Sequence, residues 1–243
     1  GLKKIKDRPL IFATVADPFK LGAGTSDRDH PPNVTGVYGL APMDKLIDAM
    51  RRILPGNRTL GIMWDPGQVN SVVNMEAMKK LAAPFEELRF EEATVTSSAD
   101  VFQAATSLAN RNIDAFMLSA DNTVFSAFES VVKAASGRKI PIFIVDVERL
   151  GDGALCAIGY DYVSSGIQAA RILDRVLKGE KVADIPFERY SRMTFGLNLD
   201  AAGELGITIP EGVISEATLI YEGKTPKAVK PGDRTAPAVE KGE

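Results

Sequence analysis

Residues 10–18 read Leu-Ile-Phe-Ala-Thr-Val-Ala-Asp-Pro, an unbroken apolar run that ends in an acid and a proline. A run without polar alternation is typical of a parallel strand that is buried on both faces. Aspartate and proline together favour a turn where that strand ends. The stretch therefore predicts a buried parallel strand over Leu10–Val15, with the carboxylate of Asp17 just beyond its carboxyl end.

The same order of apolar strand and amphipathic helix repeats along the chain. This alternation indicates βαβ units and a mostly parallel sheet, so the predicted fold class is α/β. Beyond residue 185 the pattern weakens, and the proline-punctuated, aromatic-free stretch 222–243 is predicted to be a disordered tail. Further strands are predicted at 59–64, 89–95, 115–119, 142–145, 154–158 and 193–199, and helices at 43–54, 70–81, 101–108, 124–135, 166–177 and 201–205.

Composition narrows the function classes. The chain has 243 residues, of which 45% are hydrophobic and 25% charged, as in an ordinary folded protein. The formal net charge of −3 and the absence of a basic stripe argue against nucleic acid as a partner. No apolar stretch is long enough to span a bilayer. The basic start, residues 1–8, is not followed by the h-region of a signal peptide, so we do not expect a signal peptide there.

Polar residues follow almost every predicted strand, where a helix is about to begin. In parallel α/β sheets, ligands bind outside the carboxyl ends of the strands. Helix N-termini at that edge suit a carboxylate or phosphate, and aspartates suit an ammonium group. A crevice that offers both could hold a zwitterion such as an amino acid. The candidate ligand-binding residues are Asp17, Asn70, Ser71, Asp121, Asn122, Asp146, Tyr160 and Asp161.

Helix capping is the better explanation for any one of these positions taken alone. Asp, Asn and Ser are the side chains that accept hydrogen bonds from the first N–H groups of a helix. Their recurrence at strand after strand favours a shared site, but the two explanations remain open at this point.

The chain lacks the parts that most enzymes use. It contains no phosphate-binding loop of the Gly-x-x-x-x-Gly-Lys type and no Gly-x-Ser-x-Gly motif. The single histidine, His30, lies in a polar loop, and the single cysteine, Cys156, lies in an apolar run. We therefore expect no metal, no cofactor and no catalytic residue, although acid–base chemistry by carboxylates alone stays open.

An ordered set of short motifs resembles the ABC transporter substrate-binding family that includes tryptophan/tyrosine-binding proteins. The resemblance covers roughly residues 8–221. The motifs are Phe-Ala-Thr-Val-Ala-Asp-Pro (12–18), Asn-Val-Thr-Gly-Val (33–37), Asn-Ser-Val (70–72), Asp-Asn-Thr-Val (121–124), Ile-Pro-Ile-Phe (140–143), Gly-Tyr-Asp-Tyr (159–162) with Gly166, Leu-Lys-Gly-Glu-Lys (177–181), Asn-Leu (198–199) and Leu-Gly-Ile-Thr-Ile-Pro (205–210).

The resemblance implies a type I periplasmic-binding-protein-like fold of two Rossmann-like lobes with parallel sheets. It also implies an extracytoplasmic protein, periplasmic or membrane-anchored, that binds a small polar ligand in an interlobe cleft and delivers it to an ABC permease. The implied ligand is an amino acid, possibly an aromatic one, and no catalysis is implied. By motif, Asn70 and Ser71 would bind its carboxylate, and Asp121 or Asp146 its amino group. Trp64, Tyr160 and Phe19 are the candidate stacking surfaces.

This sequence departs from the family pattern in two places. Family members carry further βα units before the strand at Leu10–Val15, so the first lobe is expected to be incomplete. Residues 20–32, which the resemblance places at the rim of the ligand site, also differ from the family's usual sequence. The ligand selectivity is therefore left open. We predict a partial first lobe from 1–40 and 158–190, and a second lobe from 41–157 and 191–221.

Two other functions remain as alternatives. The same fold also serves as the ligand-sensing domain of a regulator or receptor, and a carboxylate-based enzyme could be built on such a sheet. A signalling or DNA-binding segment would favour the first alternative.

Overall fold

The computed structural model describes residue 2 and residues 4–229, and these form an α/β structure. The strands, in chain order, are β1 (Leu10–Val15), β2 (Val34–Tyr38), β3 (Arg58–Trp64), β4 (Leu88–Thr94), β5 (Ala115–Leu118), β6 (Ile142–Ile144), β7 (Cys156–Tyr160), β8 (Glu188–Arg189), β9 (Met193–Asn198), β10 (Leu219–Glu222) and β11 (Thr225–Ala228). The α-helices are α1 (Met43–Ile53), α2 (Val69–Ala82), α3 (Val101–Ala109), α4 (Asn122–Ser126), α5 (Phe128–Ser136), α6 (Tyr162–Leu177), α7 (Leu199–Leu205) and α8 (Glu211–Ile214).

The described residues divide into two compact units. Unit 1 comprises the residues up to Ala41 together with Tyr160–Met193, and unit 2 comprises Pro42–Gly159 together with the described residues from Thr194 onward. The chain therefore leaves unit 1 after Ala41, returns to it at Tyr160 and leaves it again after Met193, and each unit has its own sheet and core.

Unit 1 is built on a small parallel sheet in which β2 lies between β1 and β8. Successive residues of β2 point to opposite faces of this sheet. Tyr38 packs with Phe187 on one face, and Val37 packs with Ile172 of α6 on the other. Helix α6 therefore covers one face, and the segment that follows β1 covers the other through Phe19.

Unit 2 is built on a larger sheet with the strand order β4-β3-β5-β6-β7-β9-β10-β11. The pairs from β4 to β7 and the pair β9–β10 are parallel, whereas β10 and β11 form an antiparallel hairpin. Every residue of β5 and β6 is buried, as expected for central parallel strands with helices on both faces.

One part of the core of unit 2 lies between this sheet and helices α3 and α5. Phe116 of β5 packs in one cluster with Leu108 of α3 and with Phe128 and Val131 of α5. Met117 lies between two residues of that cluster in β5 and is equally buried, so it points to the opposite face.

The structure confirms the α/β prediction and differs from the predicted elements in several places. The helix predicted at 124–135 is two helices, because the backbone at Ala127 (φ −124°, ψ 31°) leaves the helical region. Strands β2, β8 and β10 and helix α8 were not predicted. The tail predicted to be disordered from residue 222 begins with an ordered hairpin strand, β11, because it pairs with β10. The rest of that predicted tail, 230–243, lies outside the described residues.

Candidate functional site

The carboxyl ends of β3, β5 and β6 are consecutive along one edge of the unit 2 sheet, and two residues of the predicted set, Ser71 and Asp121, meet there. Asp121 follows β5 and is fully buried. Its carboxylate accepts hydrogen bonds from the backbone N–H of Val124 (2.8 Å) and of Asp65 (2.7 Å), and from the hydroxyl of Ser71. Asp121 thus caps α4 and joins the ends of two strands to the start of α2.

Asp65 follows β3 and organises the turn that leads into α2. Its carboxylate accepts hydrogen bonds from the Nε2 of Gln68 (2.9 Å), the hydroxyl of Thr123 (2.7 Å) and the backbone N–H of Gly67 (2.8 Å). These donors, with Gln68 foremost, lower the pKa of Asp65 below its ordinary value. The Asp65 side chain is therefore a charged acceptor that fixes the loop and positions α2.

The N-terminus of α2 is the exception among the junctions that were singled out in the sequence. Gln68 occupies the N-cap position and provides no side-chain cap. The first helical hydrogen bond is donated by Val72 to the carbonyl of Gln68. Within residues 2 and 4–229, the backbone N–H groups of Val69, Asn70 and Ser71 have no hydrogen-bond acceptor. Such a helix start carries a partial positive charge and free donors, and suits an anion.

Other polar atoms near this helix start are buried without a partner in the described part of the chain. The Oγ of Ser119, directly after β5, and the Oδ1 of Asn74, one turn into α2, both lack one. The Asn70 and Asn74 side-chain amides donate to the Ala120 carbonyl, at 3.2 and 3.1 Å. Buried polar groups without partners are rare in folded proteins, so this edge has unused hydrogen-bonding capacity.

Asp146 and Asn122 complete the predicted set in unit 2. Asp146 follows β6, and its carboxylate accepts the backbone N–H of Glu148 (3.1 Å) and lies 3.4 Å from the Nε of Arg149. It therefore caps a short 3₁₀ turn over Val147–Leu150. Asn122 is the first residue of α4 and is exposed.

The remaining predicted residues lie in unit 1. Asp17 accepts the backbone N–H groups of Phe19 (2.9 Å) and Lys20 (3.1 Å) in the turn after β1. Asp161 caps α6 by accepting the backbone N–H and the hydroxyl of Ser164, both at 2.9 Å. These two bonds lower the pKa of Asp161. Both aspartates have the capping role that was left open above.

The three predicted stacking aromatics have different surroundings. Tyr160 packs against Tyr190, with ring centroids 4.4 Å apart. Phe19 packs edge-on to Tyr38 (5.5 Å) and beside Phe187 (5.9 Å), so it is part of the unit 1 core. Trp64 ends β3, and its indole N–H is buried with no acceptor among the described residues.

Sequence reasoning missed several polar residues that lie around Asp65 and the start of α2. Gln68, Asn74, Ser119 and Thr123 were not proposed. Asn74 lies four residues after Asn70, on the same helical face, and this spacing could have identified it. Ser119 ends the predicted strand 115–119, so its position at the sheet edge was also readable.

The described residues lack two features that would bear on the site. Between residues 4 and 229, and at residue 2, no three His, Cys, Asp or Glu side chains are grouped so that they could hold a metal ion. Over the same part of the chain, no helix has the length and apolar character needed to cross a membrane.

Comparison with known proteins gives consistent matches. The family model described as "ABC transporter substrate binding protein" matches residues 2–220. A Clostridioides difficile protein named "Tyrosine-binding protein" is 29% identical over 195 residues, which are 80% of this chain and 56% of that protein. A second curated relative, an uncharacterised protein of Rickettsia prowazekii, is 24% identical and is covered over 60% of its length. The chain thus spans less than two thirds of either relative.

Solved structures agree with these matches. The Streptococcus pneumoniae ABC domain in complex with L-Trp superposes with a TM-score of 0.81 at 30% identity, over 90% of this chain and 75% of that one. A Vibrio cholerae conserved domain protein superposes with a TM-score of 0.83 at 32% identity, over 91% of this chain and 74% of that one.

Proposed function

Because the chain belongs to the ABC transporter substrate-binding protein family, we propose that it is the extracytoplasmic solute-binding component of an ABC-type importer and that its ligand is an amino acid. The family is one of solute-binding proteins rather than of enzymes. Its members bind small molecules and work with a membrane permease, which is therefore the proposed partner. The proposed location is periplasmic or membrane-anchored extracytoplasmic.

The observation that carries the ligand class is the uncapped start of α2. At the other polar strand ends that we considered, an aspartate already occupies the first N–H groups of the next turn or helix. At α2 the N–H groups of Val69, Asn70 and Ser71 are left for an acceptor from outside the described chain. We assign this position to the ligand carboxylate, since a helix N-terminus favours a negative charge.

Aromatic amino acids are the first ligands to test. The Streptococcus pneumoniae structure contains L-Trp, and the Clostridioides difficile relative is named for tyrosine. Trp64 and Tyr160 remain our candidates for contact with an aromatic ligand side chain. Phe19 is no longer one, because it packs into the unit 1 core.

Of the two aspartates considered for the ligand ammonium, Asp146 is the better candidate. Asp121 is fully buried, and three donors already occupy its carboxylate. Asp146 keeps 9% of its side chain exposed, and among the described residues it forms an ion pair with Arg149 alone. A second cation, such as an ammonium group, can therefore reach Asp146 at lower cost than Asp121.

We further propose that unit 1 is a partial first lobe and unit 2 the second lobe of the family fold. The predicted boundaries at 40, 157 and 190 remain part of this proposal. The small three-stranded sheet of unit 1 supports it, since unit 2 has a sheet of eight strands.

A thermal-shift panel tests the proposal. The panel contains L-Trp, L-Tyr, L-Phe, L-Leu, glucose and adenine, with two analogues that each lack one charged group of tryptophan. Tryptamine lacks the carboxylate and 3-indolepropionate lacks the ammonium. We expect an aromatic amino acid to stabilise the chain by about 2.7 kcal/mol at a hundred times its Kd. We expect tryptamine to be the poorer analogue.

The outcomes test two statements separately: that the ligand is an amino acid, and that the N-terminus of α2 binds its carboxylate. If no amino acid shifts any unfolding transition of the folded chain, the amino-acid proposal is wrong. If L-Trp and tryptamine stabilise equally, an amino acid binds but the α2 N-terminus does not hold its carboxylate.

A further inference from the structure

A second cavity lies in unit 2, at the edge of the sheet opposite to the candidate site. The candidate site adjoins the carboxyl end of β6, whereas this cavity adjoins the amino end, at Ile140 and Ile142. The N–H of Asn198, the last residue of β9, donates to the carbonyl of Leu155 just before β7 (2.9 Å), so β9 ends at this edge as well. We call this space the distal cavity. Its walls are the end of α5, helix α7 and the turn between β10 and β11.

The distal cavity has the size and the apolar surface of a ligand pocket. Its volume is about 860 Å³, and Val132 of α5, Ile142 of β6 and Leu205 of α7 line it. Pockets that bind small organic molecules usually measure about 300–1,000 Å³ and combine apolar walls with a few polar groups. The volume is larger than a single amino acid needs.

Two opposite charges on different walls of the distal cavity have no partner. Lys139 follows α5 and Glu204 lies on α7, and both residues are exposed. In the part of the chain that the structure describes, neither side chain forms an ion pair or a hydrogen bond, with the other or with any third residue. The cavity therefore offers one free cation and one free anion to a ligand.

The other charged groups that line the cavity are already compensated. Asp152 forms an ion pair with Arg149 (3.0 Å). Asp200 accepts two backbone N–H groups of the β10–β11 turn, and these bonds lower its pKa, with a smaller contribution from the charge of Lys224. The two unpaired groups therefore set the ligand chemistry, and the complementary ligand carries both a carboxylate and an ammonium group.

The backbone at two lysines of the cavity is in an unusual conformation. Lys139 and Lys224 have φ values of +53° and +58°, in the left-handed region that normally suits glycine or asparagine. Among the described residues only two other non-glycine positions have a positive φ, Thr14 and Asn112. Strained residues of this kind concentrate at functional sites, so a lysine at position 139 indicates a use for its ammonium group.

A glycine in α7 keeps the cavity open. Gly203 lies inside this helix, where glycine is less favourable than alanine. A Cβ at this position would meet no atom within 4 Å, so packing does not require a glycine there. Without a side chain at Gly203, the backbone of α7 is accessible to a molecule in the cavity.

We propose that the distal cavity is a second binding site, for a short peptide with free termini and an apolar side chain. Lys139 binds the terminal carboxylate, Glu204 binds the terminal ammonium, and the apolar walls contact the side chain. The Tyr221 hydroxyl, which has no hydrogen-bond partner among the described residues, is available to the peptide backbone. A peptide can hold its two charges apart, as the unpaired Lys139 and Glu204 require, whereas a single amino acid carries both on one carbon. The proposal does not depend on the function proposed for the candidate site.

A nuclear magnetic resonance titration of the full, isotope-labelled chain tests the proposal. The probe is the tripeptide Ala-Leu-Ala. We expect the amide signals of Gly153, Gly203 and Gly223 to shift, and those of Asn70 and Ser71 at the candidate site to stay in place. Acetylation of the peptide N-terminus and amidation of its C-terminus should each raise the Kd at least about tenfold, because each removes one charge-assisted contact.

A cavity-filling variant tests the location. Gly203→Leu places a side chain in the distal cavity and should raise the Kd for Ala-Leu-Ala at least about tenfold. The variant should fold normally, because leucine is a better helix former than glycine. The matched control is Gly166→Leu, at a glycine inside α6 where a Cβ also has no neighbour within 4 Å, and its Kd should equal that of the wild-type chain.

A second variant tests the role of Lys139 and keeps the proposal testable if Gly203→Leu does not fold. Lys139→Asn removes the ammonium but suits the left-handed backbone, as Asn112 does in this chain (φ +57°). It should weaken Ala-Leu-Ala at least about tenfold and leave the Kd of the amidated peptide unchanged, because that peptide has no carboxylate to lose.

Several results would overturn the proposal. One is the absence of shifts at the cavity with up to about 1 mM Ala-Leu-Ala. Another is an equal Kd in a folded Gly203→Leu variant and the wild-type chain. Shifts confined to Asn70 and Ser71 would place the peptide at the candidate site instead. An equal loss of both peptides in Lys139→Asn would show that Lys139 does not bind the carboxylate.

Discussion

At the scale of single residues, an aspartate that follows a strand has two possible roles. It can cap the next turn or helix, or it can bind a ligand. Asp17, Asp121, Asp146 and Asp161 each accept backbone N–H groups of the following turn or helix. A short carboxylate after a strand is well placed to do this, and the same geometry would suit a ligand. For Asp121, complete burial and three donors favour the structural role.

Replacing Asp121 by alanine tests that role. The change removes the α4 cap and leaves the N–H of Asp65 and the hydroxyl of Ser71 buried without their acceptor. We expect the free energy of unfolding to fall by about 2–4 kcal/mol. Urea unfolding measures this, and Asn122→Ala, at the exposed neighbouring position, should change it by less than about 0.5 kcal/mol. A stable Asp121→Ala variant that has lost only ligand affinity would contradict the structural role.

Asn70→Asp tests the assignment of the ligand carboxylate. The substitution adds a negative charge beside the free N–H groups of α2, and so repels a carboxylate bound there. We expect the Kd for the amino acid found in the panel to rise at least about tenfold. Stability should fall modestly, because the substitution removes the amide donor to the Ala120 carbonyl, although an acid near a helix N-terminus is favourable. Titration calorimetry measures the affinity, with Asn57→Asp in an exposed loop as the control. Unchanged affinity in Asn70→Asp would place the carboxylate elsewhere.

At the scale of elements, apolar runs predicted most strands closely, and the misses have identifiable causes. Strand β2 contains Gly36, and glycine inside a strand weakens the sequence signal. The structure explains that glycine: its φ is +154°, and a Cβ there would collide with the Phe12 carbonyl oxygen. No glycine or proline marks the break at Ala127. Because the apolar residues keep a helical spacing through 124–135, the sequence predicted one continuous helix there.

The cap of α6 gives an element-scale prediction about pH. The N–H and hydroxyl of Ser164 lower the pKa of Asp161 below its ordinary value of 3.8, so the charged form is favoured in the folded state. The stabilisation is therefore present above the unfolded pKa and is lost as the pH falls through the folded pKa. Asp161→Asn keeps a capping side chain but no charge, and should remove this part of the acid sensitivity.

Urea unfolding of both proteins at pH 7 and at low pH checks this expectation. The wild-type chain should be the more stable at pH 7, and the difference should shrink once the pH is below 3.8 and falls through the folded pKa. A difference that stays constant across this range would mean that the Asp161 charge does not stabilise α6.

At the scale of the whole molecule, the sequence predicted the α/β class, but not the extent of each sheet. The hairpin strand β11 is the short, fully exposed run Thr-Pro-Lys-Ala, so no local signal marks it as a strand. Its position depends on a turn in which Gly223 and Lys224 have positive φ, and both of their N–H groups donate to Asp200, at 3.0 and 2.8 Å. That contact joins residues distant in sequence, so local sequence patterns cannot predict it or the strand that depends on it.

The division into two units predicts that the chain does not unfold in a single step. Unit 1 has a sheet of three strands and two small apolar clusters, whereas unit 2 has the larger sheet and core. The smaller unit buries less apolar surface on folding, so we expect unit 1 to unfold first. Trp64, the single tryptophan, lies in unit 2. In a urea titration the Trp64 fluorescence should therefore change at a higher urea concentration than the first loss of far-ultraviolet circular dichroism.

Hydrogen exchange should show lower protection in β1 and β2 than in β5 and β6. Coincident transitions by both probes, with equal protection of the two sheets, would mean that the units fold as one cooperative body.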